Sequence, residues 1–277
     1  MKLFKLTNRS GVAISGRAFI NEDGKPIREV GYFIRQFIKS VGFDKLTVKE
    51  SAEALNAYLA KIFVPRELTA LRKLIEADAV KNKWSELKFS EPDGVVLPHT
   101  YLDAAGQHVS WNRWVETIQM LVAGIDADGV GRAYSVTVGK GIVNESDTIK
   151  SGAIWLGQTD VLIRIVKGHA PEADQLQFVK SAVTANQQAV SDEINKLEYI
   201  INWGTITLQD AVDFCVLMTK TTESIQRFSD GTFMNPGGIP GVGGPVDIAV
   251  LTPEKGFVWL QKKKLRTDAS MVELDSE

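Results

Sequence analysis

The sequence predicts an α+β protein folded as a four-layer α–β–β–α sandwich. Three observations carry that prediction. Strand-like and helix-like periodicities come in blocks along the chain, in the order strands, two helices, strands, two helices, strands. Helices segregated in this way cover the two outer faces of a stacked pair of sheets. Residues 205–261 combine a capped helix, a glycine-rich loop and a hairpin into one closing unit. No internal repeat, low-complexity linker or second core interrupts the 277 residues, so one domain over 1–277 is expected.

Composition bounds the class of protein. Apolar residues at 44% against 24% charged place the chain among globular proteins with a sizeable core. A net charge of −2 gives no long-range attraction for polyanions, so neither nucleic-acid nor membrane-surface binding is expected. No apolar run approaches the ~20 residues that cross a bilayer. The start, Met1-Lys-Leu-Phe-Lys-Leu-Thr, has too short an apolar part for a secretory signal. Cys215 is the only cysteine and falls on the core side of a predicted helix. Disulfides and cysteine-rich zinc sites are thereby excluded, and a reducing cytosol is the expected compartment.

The elements follow in order. Lys2–Leu6 and Val12–Ser15, joined by the turn Thr7-Asn-Arg-Ser-Gly11 and followed by Gly16, read as a hairpin within residues 2–20. Ile27, Val30, Phe33, Ile34, Phe37 and Ile38 recur at helical spacing and predict a helix around Ile27–Ser40. Thr47-Val-Lys-Glu50 is a capping box, whose hydroxyl and carboxylate satisfy N–H groups left over in a first helical turn. The helix it opens is expected to bury Ala52, Leu55, Leu59 and Ile62, and a further helical stretch covers about Arg66–Ala79. Residues 82–112 are polar, with turn signals at Pro92-Asp-Gly94 and Ala105-Gly106, and read as an elaborated hairpin or insertion.

Strand signals return at Gln119–Asp126, Ala133–Val138 and Gly152–Leu156, the first two separated by the turn Asp126-Ala-Asp-Gly129. After Gly157-Gln-Thr159 a short helix runs to Gly168, and a longer helical region runs from about Glu172 to Tyr199. Thr207 and Asp210 open the last helix with a second capping box. Leu208, Ala211, Val212, Cys215, Thr219, Thr222 and Ile225 mark its apolar side as far as Arg227. Val246–Leu251 and Phe257–Gln261, joined by the turn Pro253-Glu-Lys-Gly256, are the closing strands.

Several chemistries find no support. The glycines of 237–244 are followed by a strand rather than a helix and by no Gly-Lys-Ser/Thr, which removes a phosphate cradle. His99, His108 and His169 lack metal-ligand spacing, and no Gly-x-Ser-x-Gly elbow exists. No metal or cofactor is expected. The six tryptophans, Trp111, Trp114 and Trp155 among them, read as core or interface residues.

Four segments nevertheless form an ordered set. They are Lys2-Leu-Phe-Lys-Leu with Gly11-Val-Ala-Ile-Ser-Gly16, Val122-Ala-Gly-Ile-Asp-Ala-Asp-Gly129, Gly157-Gln-Thr159 at a helix start, and Gly243-Gly-Pro-Val-Asp-Ile-Ala-Val-Leu-Thr252. In this order they resemble the proteasome-type β-subunits, which belong to the N-terminal-nucleophile hydrolases. The resemblance implies a threonine-type peptidase that hydrolyses amide bonds inside a self-compartmentalising ring. Its partners would be copies of itself and a peptide or protein substrate.

By the same resemblance Lys2 is the lysine that lowers proton affinity around the nucleophile, and Gly16 donates the oxyanion N–H. Thr159 stands where the family has a serine near the active site, and Asp230 is the nearest match to the supporting aspartate. Departures accompany the match. Phe228 follows Gln226-Arg227, the loop to Gly243 is longer than the family's, and Val242 replaces the serine before the paired glycines. The family's threonine nucleophile, a supporting acid and two strands would all precede Lys2. The sequence as given is therefore expected to be a truncated and inactive form, or else a non-catalytic structural or interaction subunit with the same fold. Each site residue also has a plain structural role open to it: a solvated lysine at Lys2, close packing at Gly16, an N-cap at Thr159 and a turn at Asp230-Gly231.

Overall fold

Alternation decides the first two strands. Leu3–Thr7 (β1) and Ser10–Gly16 (β2) pair antiparallel with Phe4 opposite Val12, so the large side chains of both strands fall on one face. The computed structural model describes residues 2–22, 25–145, 151–229, 231–232, 235–236, 241–263, 265–266 and 271–272. It is a mixed α+β structure with several antiparallel sheets. Its chain groups into two compact units, Met1–Lys150 with Ala249–Leu260 and Ser151–Ile248 with Gln261–Glu277.

In the first unit the expected long helix from Ile27 is shortened. Phe19–Glu22 (β3) and Lys25–Glu29 (β4) form a second hairpin, and helix α1 spans only Val30–Ser40. Pro26 is tolerated in β4 because it sits opposite Asn21, where the pairing shifts register. Helix α2 runs unbroken over Val48–Lys81, so the separate stretch expected from Arg66 is its second half. The capping box is present: Thr47 Oγ1 accepts the Glu50 N–H at 3.2 Å, and Glu50 Oε2 accepts the Thr47 N–H at 2.8 Å. A third acceptor comes from outside the helix, where Asp126 Oδ1 takes the Val48 N–H at 2.8 Å.

The polar residues 82–112 become strands Ser85–Phe89 (β5) and Val96–Leu102 (β6), continued by His108–Trp114 (β7), in a three-stranded antiparallel sheet. Ile118–Ile125 (β8), Gly131–Thr137 (β9) and Gly141–Asn144 (β10) join the first hairpin in a five-stranded sheet of order β1-β2-β8-β9-β10. One face of that sheet presents Phe4, Val12, Ile14, Met120, Val122 and Val136 to the helices, where Ile34, Leu55, Leu59 and Phe63 complete the core. The β8–β9 turn is held by Arg132, which bonds Asp126 and grips both oxygens of Asp128. That guanidinium, with the Val130 N–H, lowers the Asp128 pKa to about 2.

The buried stripe of α2 explains how one helix serves two sheets. Ala52, Leu55, Leu59, Phe63, Glu67, Ile75 and Ala79 are buried, and Leu71 packs partly buried on the core. From Leu55 onward these positions repeat every four residues, and 3.6 residues make a turn, so the stripe advances about 40° around the helix at each step. The helix contacts β8 and β9 as well as β5 and β6, and in its second half Arg72 lies over the Phe89 ring of β5 at 4.6 Å.

In the second unit, helix α3 covers Asp160–Lys167 and stops at Gly168. Helix α4, Gln177–Asn195, contains one non-helical residue, Asn186, whose Oδ1 caps the Ala189 N–H at 3.1 Å. Helix α5, Leu208–Phe228, carries the expected capping box of Thr207 and Asp210. Its inward side differs from the sequence expectation: Met218 and Thr222 are buried, whereas Leu208, Ile225 and Cys215 are exposed. Gly152–Leu156, expected as a strand, has no regular structure, and Trp155 instead lies 5.9 Å from the Phe214 ring. Gly231–Thr232 (β11) and Asn235–Pro236 (β12) make a minimal ladder.

The closing hairpin, Ile248–Thr252 (β13) and Gly256–Gln261 (β14), forms as expected, and its residues 249–260 return to the first unit. Phe257 of β14 lies against Gly11, which points from the sheet face opposite to Val12. Any Cβ at Gly11 would enter the Phe257 ring. The Phe257 N–H also donates to Asn8 O at 2.6 Å. Among the described residues, no helix is long and apolar enough to cross a membrane.

Candidate functional site

Two of the four expected site residues meet in the first unit. The Ile14 N–H donates to Lys2 O at 2.8 Å, so Lys2 lies across the hairpin from Ile14, two residues before Gly16. Lys2 and Gly16 therefore occupy one end of adjacent strands, with the lysine exposed. Gly16 has φ +83° and closes β2 opposite Ile118. An added Cβ would collide with Thr117 O, so only glycine permits both this backbone turn and this approach.

Beside Gly16 stands an ion cluster absent from the sequence expectations. Arg17 Nη2 lies 3.3 Å from Glu67 Oε2, and Arg17 Nε lies 3.2 Å from Glu116 Oε2 without the alignment of a hydrogen bond. Glu67 is 4% exposed, and its second oxygen, Oε1, has no hydrogen-bond partner among the described residues. A signal for it exists in the sequence. Glu67 is the one acid on the otherwise apolar four-residue repeat from Leu55 to Ala79, a position where burial disfavours charge.

Thr159 belongs to the second unit, at the N-terminus of α3. Its hydroxyl makes no capping bond, so the plain N-cap role is not the one its side chain performs. It lines a cavity of about 690 Å³ with Gln158, Arg164, Glu172, Gln226 and Ser229. Asp230 lies outside the described residues; its neighbours Ser229 and Gly231 line the same cavity. Arg164 and Glu172 pair across it at 3.1 Å.

Side chains of α5 fasten the glycine loop. Gln226 Oε1 accepts the N–H groups of Gly241 and Val242, both at 3.1 Å, while its Nε2 donates to Gln158 Oε1 at 2.5 Å. Glu223 Oε1 accepts the Gly244 N–H at 3.0 Å, and Lys220 bonds its other oxygen at 2.6 Å. Lys220 first, then the Gly244 N–H, hold the Glu223 carboxyl below its ordinary range. Val242, at the family's serine position, contributes its backbone N–H to this clamp and no hydroxyl.

No known family, curated protein or solved structure matches the chain.

Proposed function

We propose that residues 1–277 form a proteasome-like subunit of the N-terminal-nucleophile hydrolase class. Its architecture would be the four-layer α–β–β–α sandwich, in one domain, and its reaction the hydrolysis of peptide amide bonds within a ring of like subunits. The observation that carries this reading is the β1–β2 hairpin, which holds Lys2 and a positive-φ Gly16 at one strand end. The packing of Phe257 on Gly11 supports a second sheet against the face opposite the helices. The uncapped hydroxyl of Thr159, which lines a cavity, supports the assignment of Thr159.

The chemistry follows from those roles. In that class a threonine hydroxyl adds to the substrate carbonyl, its proton passing to the threonine amine. Lys2 favours that transfer by placing a positive charge beside the hydroxyl, which stabilises the alkoxide as it forms. The Gly16 N–H stabilises the tetrahedral oxyanion, which collapses to an ester as the amine product leaves with the proton. Water then hydrolyses the ester. A cytosolic location accords with a chain whose only cysteine is Cys215.

A second reading, a non-catalytic structural or interaction subunit, draws on Val242, which removes one hydroxyl from the family's network. Peptide turnover separates the two. The assembled protein is expected to cleave fluorogenic peptides, and Lys2→Ala is expected to lower kcat at least about a hundredfold. An assembled protein without turnover gives the assignment to the second reading.

A further inference from the structure

We propose that Glu67 is a positioning residue for the Gly16 N–H, acting through Arg17. The proposal rests on the hydrolase assignment for its chemistry and on the geometry of the strand end for its mechanics. Gly16 closes β2, and the next residue is tethered from two sides. Arg17 reaches Glu67 on α2 at 3.3 Å and Glu116, two residues before β8, at 3.2 Å. The Gly16–Arg17 peptide is thus tied both to the long helix and to the chain leading into the strand that pairs with Gly16.

Packing alone does not account for an acid at position 67. The neighbouring stripe positions, Phe63 and Leu71, are apolar and pack in or on the core. A leucine at 67 would continue that stripe, whereas a carboxylate must be withdrawn from water and satisfied by other groups. Glu67 is ion-paired with Arg17 through Oε2, with Oε1 left without a partner among the described residues. A buried acid with an unpaired oxygen, retained beside a turned backbone that only a glycine can occupy, serves the strand end rather than the core. An oxyanion donor needs such a hold. It acts by being fixed before charge develops, and a displacement of about 1 Å can lower a rate about a hundredfold.

The test combines backbone order from NMR relaxation with kinetics on the full-length protein. In Glu67→Gln, which keeps the shape and removes the charge, the backbone order parameters of Gly16 and Arg17 are expected to fall from about 0.85 to below about 0.6, with Val122 and Val136 unchanged. In the same variant kcat is expected to fall about tenfold at constant KM, the mark of an interaction made in the transition state. Arg17→Lys, altering the partly exposed partner, should reproduce both effects and guards against a folding defect at the buried site. Unchanged order at Gly16 in an active enzyme, or a shift in KM alone, overturns the role of Glu67. A wild-type protein that is ordered at Gly16 yet turns over no peptide overturns the hydrolase assignment, and with it the oxyanion role of Gly16.

Discussion

At the scale of single residues, Phe63 and Glu67 sit four apart on one helix and make opposite contributions. Phe63 is fully buried in the main core, and Phe63→Ala should destabilise by about 3–5 kcal/mol through lost transfer energy and the cavity left behind. Glu67→Leu should lose no more than about 1 kcal/mol, because it removes the buried carboxylate's desolvation cost and the Arg17 left behind is partly exposed rather than buried. Arg17 keeps 36% of its side chain exposed and has Glu116 in reach, so it is not stranded without solvent. Urea unfolding of the two variants checks both. A loss of about 3–5 kcal/mol in Glu67→Leu would make the pair a structural tie instead. Gly16→Ala fails for a different reason, since φ +83° and Thr117 O exclude the methyl; its expected signature is local, a disturbed Gly16–Ile118 pairing by amide exchange with the β8–β9 amides retained.

Elements show where sequence periodicity is sufficient and where it is overruled. β1, β2, β8 and β9 were legible because one face of each is core and the alternation says so, and the closing hairpin because an apolar run and a turn signal mark it. The start of α1 was not, since Ile27 continues the helical spacing of Val30 and Ile34 while its backbone belongs to the β3–β4 hairpin. Ala153-Ile-Trp-Leu156 reads as a strand by its apolar run, yet takes no regular structure, with Trp155 set near Phe214 instead. Capping signals were the most reliable, because hydroxyl and carboxylate act within four residues. Thr47→Ala should lower stability by about 1 kcal/mol, less than the full cap, since Asp126 still accepts the Val48 N–H. Thermal unfolding of Thr47→Ala, Asp126→Asn and the double variant measures whether the two acceptors share the helix start. The α5 clamp adds a pH dependence. Glu223 has a lowered native pKa, so its hold on Gly244 is present above the ordinary carboxylate range and is lost as pH falls through the native value. The Gly244 amide should therefore exchange faster in acid, and Glu223→Gln should abolish that acid response.

For the whole molecule, surface hydrophobicity bears on assembly. The second unit leaves Phe178, Tyr199, Ile200, Leu217 and Phe228 more than half exposed, although α4 and α5 each carry the polar residues of an ordinary surface helix. The sequence marked an apolar side on α5 and assigned it to a core; the structure buries only Met218 and Thr222 there. Periodicity identifies an apolar face but not what covers it, which is why the fold was more legible than the site or the partner. Copies of the same chain are the covering that the ring proposal supplies. Sedimentation equilibrium should then give a mass that is a multiple of 30.5 kDa. Replacing exposed Phe178 and Phe228 by Ser, changes that touch no described core position, should shift that mass toward the single chain while leaving the circular-dichroism spectrum unaltered. A wild-type mass of one chain at tens of micromolar would remove the ring, and a compartment for proteolysis with it; the Lys2–Gly16 end would then have to work, if at all, in an open subunit.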